Sequence, residues 1–99
     1  MFRLLYSGVM HTPDTTTILK ALADHTRLEI VRTLAHKPAA TSSCNAVSSV
    51  SPLSQPAMSH HFGKLVDAGV LNENKVGTEK IYELNMELLR SVGIDPTKL

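Results

Sequence analysis

Two adjacent imidazoles, His60 and His61, and one thiol, Cys44, are the side chains of this sequence that first invite a chemical reading. Neighbours on a helix point about 100 degrees apart, so His60 and His61 do not normally chelate one ion together. His61 is expected to be a partly buried ring hydrogen-bonded within the domain, and His60 an outward-facing donor. Cys44 is expected as a small buried or half-buried residue, because soft-metal sites of this kind want two or more thiolates. The alternative is a site shared between two copies, Cys44 with His11 of the partner subunit. Catalysis has little to stand on. There is no Gly-rich phosphate loop, no nucleophile elbow and no His-Glu-x-x-His, and no short stretch gathers a nucleophile, a base and an orienting acid. The chain is expected to be no enzyme, to hold no metal and to need no cofactor.

What remains is recognition, and it centres on Ser54-Gln-Pro-Ala-Met-Ser-His-His-Phe-Gly-Lys-Leu-Val-Asp-Ala-Gly69. Ser54 can cap a helix, Pro56 fits its first turn, and Gly69 can take the left-handed terminating conformation. Met58, Phe62 and Leu65 then face inward. The opposite face carries Gln55, Ser59, His60, Gly63 and Lys64, polar or small, and can press against something flat.

The elements that position this helix follow from capping and periodicity. Asp14 can cap a short first helix in which Leu19, Leu22 and Ala23 share a face. Asp24 caps a second, with Leu28, Val31, Leu34 and Ala35 inward, stopped by Lys37-Pro38. From Thr41 to Ser54 the chain is rich in Ser and Thr, and a flexible linker competes with a two-turn helix carrying Ala46, Val47 and Val50 after a cap at Ser42 or Ser43. Val70 to Lys75 and Glu79 to Asn85, joined by Val76-Gly77-Thr78, read as a two-stranded hairpin. Asn85 caps a last short helix, Met86 to Ser91, with Leu88, Leu89 and Val92 apolar.

Composition bounds the rest. With 99 residues, 42% hydrophobic residues and one Cys, the chain is expected to be a single domain: a core over 11–92, an N-terminal arm or dimerisation segment over 1–10 and a tail over 93–99. The single thiol and the want of a signal pattern predict a cytoplasmic protein with no membrane attachment. Ten Lys and Arg against nine Asp and Glu leave a formal charge of +1, so any basic site must come from local arrangement.

Three helices and a hairpin in this order make a mainly α fold with a β-hairpin (α+β), a helix-turn-helix with a wing, whose second helix suits the major groove. Double-stranded DNA is the expected partner. Ser54, Gln55, Ala57, Ser59, His60 and Lys64 are the expected contacts on the helix, and Lys75, Thr78 and Lys80 on the wing, where the lysines can neutralise phosphates. Asp67, Glu73 and Glu79 lie near this surface and oppose phosphate, so affinity is expected to need two copies. The competing reading, a winged helix that binds a protein instead of DNA, calls for exposed apolar anchors on the outer face, which these residues do not supply.

Leu19-Lys-Ala-Leu-Ala-Asp24, Thr26-Arg27-Leu-Glu-Ile30, the Ser54 to His61 segment, Lys64-Leu65, Ala68-Gly69-Val-Leu71 and Tyr82-Glu-Leu84 together resemble the arsenic-repressor (ArsR) family of winged-helix transcriptional regulators. The resemblance implies a role as a repressor. It also implies a homodimer joined through terminal helices, for which Ile18, Leu19, Leu22, Leu88, Leu89 and Val92 are the expected interface residues. There are departures. His25 stands where the family usually has Pro. The Cys-x-Cys pair with which many members sense metals is replaced by Ser43-Cys44-Asn45, and Met86 to Leu99 contains no His for the C-terminal metal site of others. The resemblance therefore implies a regulator without the usual thiolate metal site, its effector unspecified.

Overall fold

The computed structural model describes residues 15–43 and 53–99. Helix α1, Thr15–Leu22, turns Ile18, Ala21 and Leu22 inward, an i, i+3, i+4 stripe. The expected face of Leu19, Leu22 and Ala23 is therefore corrected: Leu19, one residue round the helix from Ile18, is 51% exposed and Ala23 is exposed too. The capping expected of Asp14 falls outside the described residues. Asp24 ends the following turn in extended backbone and accepts from the Arg27 backbone N–H at 3.0 Å, starting helix α2, His25–Ala35. Its buried stripe is Ile30, Val31 and Leu34, so Ile30 joins the expected set, while Leu28 and Ala35 are only half-buried.

A 3-10 turn, Pro38–Ala40, follows α2, with Ala39 and Ala40 both at positive φ, 55° and 51°. It reverses the chain into strand β1, Thr41–Ser43. This strand corrects the sequence reading, which placed only a linker or helix caps here. Strands β2, Leu71–Val76, and β3, Glu79–Leu84, form the expected hairpin, but β1 pairs antiparallel with the other edge of β3, giving the sheet order β1-β3-β2. Ser42 faces Tyr82 in register, and the Thr41 hydroxyl donates to the Tyr82 carbonyl at 3.0 Å. A hairpin strand with a free edge recruits any short extended segment delivered to it, and Thr-Ser-Ser composition does not announce one. The short helix expected around Ala46, Val47 and Val50, like Cys44 itself, lies outside the described residues.

Helix α3, Gln55–Asp67, begins as expected, with the Ser54 hydroxyl oxygen accepting from the Ala57 N–H at 3.3 Å. It ends on Gly69 at φ 83°, where the Gly69 N–H donates to the Val66 carbonyl and the Val70 N–H to the Leu65 carbonyl, each at 2.9 Å. This paired closure needs a left-handed residue at the position of Gly69. The hairpin loop is two residues long rather than three, with Gly77 at φ 65°. Asn85 then caps helix α4, Met86–Ser91, accepting from the Leu88 N–H at 3.1 Å. The same side chain donates from Nδ2 to the Gly69 carbonyl at 3.1 Å.

Met58, Phe62 and Leu65 of α3 meet Ile18, Ile30, Val31 and Leu34 from the first two helices and Tyr82 and Leu84 from the sheet. The rings of Phe62 and Tyr82 lie 4.4 Å apart at 31°, so the strand that carries the wing is packed directly on the helix that carries the polar face. The stretch expected as a tail returns to the body: a second 3-10 turn, Pro96–Lys98, packs on α2 with Pro96 buried. No helix among the described residues is long and apolar enough to cross a membrane.

Candidate nucleic-acid interface

The burial of Met58, Phe62 and Leu65 leaves one face of α3 to solvent. Ser54, Gln55, Ser59, His60 and Lys64 are exposed, and Ala57 is half-exposed. Gly63 lies within this face, and a methyl group built there meets nothing within 4 Å. The surface is thus a shallow band of hydroxyl, amide, imidazole and ammonium groups with no bulky apolar side chain in it. An α-helix with such a face fits the major groove, whose base edges offer both donors and acceptors.

The register of the hairpin fixes the wing lysines. Lys75 stands directly opposite Lys80, on the same face of the sheet as the pairs Glu73–Tyr82 and Leu71–Leu84, because side chains alternate along a strand. Tyr82 and Leu84 point into the core, so both lysines emerge on the helix side of the sheet, beyond the end of the core. Like charges directly opposite each other are unfavourable in a sheet. Lys80 Nζ is compensated by Glu73 Oε2 at 3.6 Å, and that carboxylate also accepts from the Tyr82 hydroxyl at 3.2 Å. Lys75 has no carboxylate partner among the described residues. Thr78 is exposed at the loop, and of the three acidic residues near this surface Glu73 is occupied within the wing while Asp67 and Glu79 remain exposed.

Behind the polar face lies a network whose centre, Arg27, sequence reasoning missed. Its Nε donates to the Ala21 carbonyl at 2.6 Å, and Nη1 lies 3.3 Å from His61 Nδ1. With Arg27 donating, His61 Nδ1 is an acceptor and the ring proton sits on Nε2. Asp24 Oδ2 is 3.6 Å from the same nitrogen. The backbone N–H of Arg27 holds the Asp24 carboxyl below its usual range; burial opposes the effect, and the Arg27 charge adds to it. His61 is therefore the partly buried, internally bonded ring expected of it, and His60 is exposed with its ring centroid 5.8 Å from that of His61 at 67°. The signal for Arg27 was present in its place three residues after a capping Asp, but nothing in the sequence pairs it with a residue 34 positions on.

The expected interface residues divide in two. Ile18, Leu22 and Leu89 are taken up by the chain's own core, at 0%, 7% and 0% exposure, whereas Leu19 is exposed and Leu88 and Val92 are half-buried. Among the described residues no group of three or more His, Cys, Asp or Glu is placed to hold a metal ion. Both Cys44 and His11 lie outside the described residues.

A family model described as a helix-turn-helix domain matches residues 22–74. The arsenical resistance operon repressor of Staphylococcus xylosus is 36% identical over 85 residues, covering 81% of this chain and 74% of that protein. Among solved structures, HlyU from Vibrio cholerae superposes with a TM-score of 0.67 at 31% identity, over 78% of this chain and 82% of the other. An ArsR-like transcriptional regulator from Rhodococcus superposes with a TM-score of 0.67 at 28% identity, over 77% of this chain and 69% of the other.

Proposed function

Because this chain belongs to the ArsR family of winged helix-turn-helix, DNA-binding transcriptional regulators, we propose that it is a sequence-specific repressor that reads the major groove with the outer face of α3. The observation that carries this reading is the division of α3 itself: Met58, Phe62 and Leu65 are buried while Ser54, Gln55, Ser59, His60 and Lys64 are all exposed on a band without apolar bulk. Gln55, Ser59 and His60 supply hydrogen-bonding groups for base edges, with Ser54 and the half-exposed Ala57 at the entry to the groove. Lys64, Lys75 and Lys80 supply charge for phosphates, and Thr78 a hydroxyl at the wing tip. A protein-binding use of the same face would want apolar anchors, and the band offers none.

The active species in this reading is a homodimer. Leu19, Leu88 and Val92 are the residues of the expected interface that retain surface, supported from beneath by Ile18, Leu22 and Leu89. Two copies give a palindromic operator with half-sites about one helical turn apart. The switch is not the usual thiolate metal site, since Cys44 is flanked by Ser43 and Asn45 and is the sole cysteine. A high-affinity soft-metal site needs several converging thiolates or imidazoles.

Selection of bound sequences from random duplexes tests the reading directly. A palindromic consensus is expected, and Gln55→Ala or His60→Ala should change the preferred bases at a cost of about 1 to 3 kcal/mol per contact. Folded variants that bind the operator unchanged would remove the face assignment. Titration of zinc, cadmium and arsenite into the complex should leave it intact. Release at stoichiometric metal that vanishes in Cys44→Ser would instead favour the site shared with His11 of the partner subunit.

A further inference from the structure

An open cleft of about 300 Å3 lies between α1, the start of α2 and the last turn of α3, with buried Ala21 and Ala68 in its wall and Lys20, Arg27, Lys64 and Asp67 around it. Three of those four ionisable groups are cations, a concentration of positive charge in a chain that is almost neutral as a whole. The ammonium groups of Lys20 and Lys64 have no hydrogen-bond or ion-pair partner among the described residues. Arg27 is different in kind. Its Nε and Nη1 are held by the Ala21 carbonyl and His61, which fixes the guanidinium plane, while Nη2 makes no hydrogen bond among the described residues. A fixed fork beside two exposed ammonium groups is a donor set for a compact anion with several oxygens. A carboxylate offers two oxygens and a phosphoryl group three, enough to meet all three cations. The volume is at the lower end of small-molecule sites. Asp67 opposes an anion, and it also offers an acceptor for a hydroxyl or amine carried next to the phosphoryl group.

We propose that this cleft is a phosphoryl-binding site, with Lys20 and Lys64 closing on the oxygens against a prepositioned Arg27. The proposal rests on the DNA reading for its consequence alone: Lys64 belongs both to the cleft and to the outer face of α3, so a phosphorylated ligand and the operator compete for one ammonium group. Such competition is reciprocal, each partner weakening the other by the same factor. The phosphoryl group has two sources, a free small molecule or a backbone phosphate of the bound duplex.

Inorganic pyrophosphate is the probe, titrated into the full chain without DNA at about 0.15 M ionic strength and followed by calorimetry and backbone amide shifts. Saturable binding is expected, with shifts at Lys20, Arg27, Lys64 and Ala68. Lys20→Gln should weaken it about tenfold or more, the worth of a charge-assisted contact, and Lys20→Arg should retain it. The two sources separate in the operator complex. For a free ligand, pyrophosphate lowers operator affinity several-fold in the wild type and not in Lys20→Gln, whose own operator affinity is unchanged. For a backbone phosphate, Lys20→Gln itself weakens operator binding and lowers the salt slope by about one. Either pattern upholds the site. An absence of saturable binding, or binding that survives Lys20→Gln, overturns it. Since the first titration contains no DNA, its outcome is independent of whether α3 reads the groove.

Discussion

Arg27 and His61 join α2 to α3 from beneath, with Nη1 3.3 Å from Nδ1. The contact spans from the first turn of α2 to the middle of α3, and its guanidinium is anchored in turn on the last turn of α1 through the Ala21 carbonyl. The orientation of α3 is therefore set by a polar clamp as well as by Phe62 and Leu65. Arg27→Ala should cost about 1 to 3 kcal/mol, because the Ala21 carbonyl and His61 lose their donors in a partly buried place. Urea unfolding measures it; a loss below about 0.3 kcal/mol, within the range of neutral surface changes, would contradict the clamp.

Acid should weaken the same region in a defined direction. The Asp24 carboxyl sits below its ordinary value of 3.8, chiefly through the Arg27 backbone N–H. A folded-state value below the unfolded one contributes stability that is present above 3.8 and is lost as pH falls through the lowered value. Asp24→Asn keeps a good helix cap while removing the titration. The denaturation midpoint of the wild type should therefore fall more steeply than that of Asp24→Asn between about pH 4 and pH 2, and parallel curves would sink this attribution.

Gly63 separates folding from reading. A methyl group there meets open space, and alanine is favoured over glycine in a helix interior by about 1 kcal/mol. Gly63→Ala should raise thermal stability while reducing operator affinity, since it adds bulk to the face proposed to press on DNA. A variant that is more stable and binds the operator as well as the wild type does would show that this part of α3 stands clear of the groove.

Lys75→Ala should show the same opposition on the wing. Removing one of two lysines that face each other in register relieves a like-charge pair, worth about 0.2 to 1 kcal/mol. Operator binding should nonetheless weaken for all sequences alike, with the salt slope reduced by about one. Unfolding curves and binding isotherms at several salt concentrations read the two effects separately.

Ala40 lies at φ 51° in the turn that delivers β1 to the sheet. A left-handed conformation costs an L-residue roughly 1 to 2 kcal/mol that glycine avoids, offset in part by the greater freedom glycine has in the unfolded chain. Ala40→Gly should be neutral to stabilising, by up to about 1 kcal/mol, and a clear loss of stability would mean that the turn is not strained at this position.

The elements announced by caps and stops were legible: Asp24, Ser54, Gly69 and Asn85 each mark a boundary found in the fold. The faces of short helices were less so. In α1, Ile18 and Leu19 are equally apolar, and only the position of α1 against α2 and α3 decides that Ile18 is buried and Leu19 is not. Strand β1 was invisible because three small polar residues have no alternation to read, and their partner lies some 40 residues away. The polar band of α3 could be read because its inward triad is strongly apolar. The cleft at Lys20 and Lys64 could not, since its lining comes from three helices.

Asn85 serves two masters. Its carbonyl oxygen starts α4, and its amide nitrogen holds the Gly69 carbonyl where α3 leaves for the sheet. Helix α4 and the exit of α3 thus share one hub, and neither can slide past the other without surrendering a bond worth about 1 kcal/mol. In the proposed dimer, a shift of α4 would be passed to the exit of α3 through this one side chain, so Asn85 would couple the spacing of the two α3 helices to the position of α4.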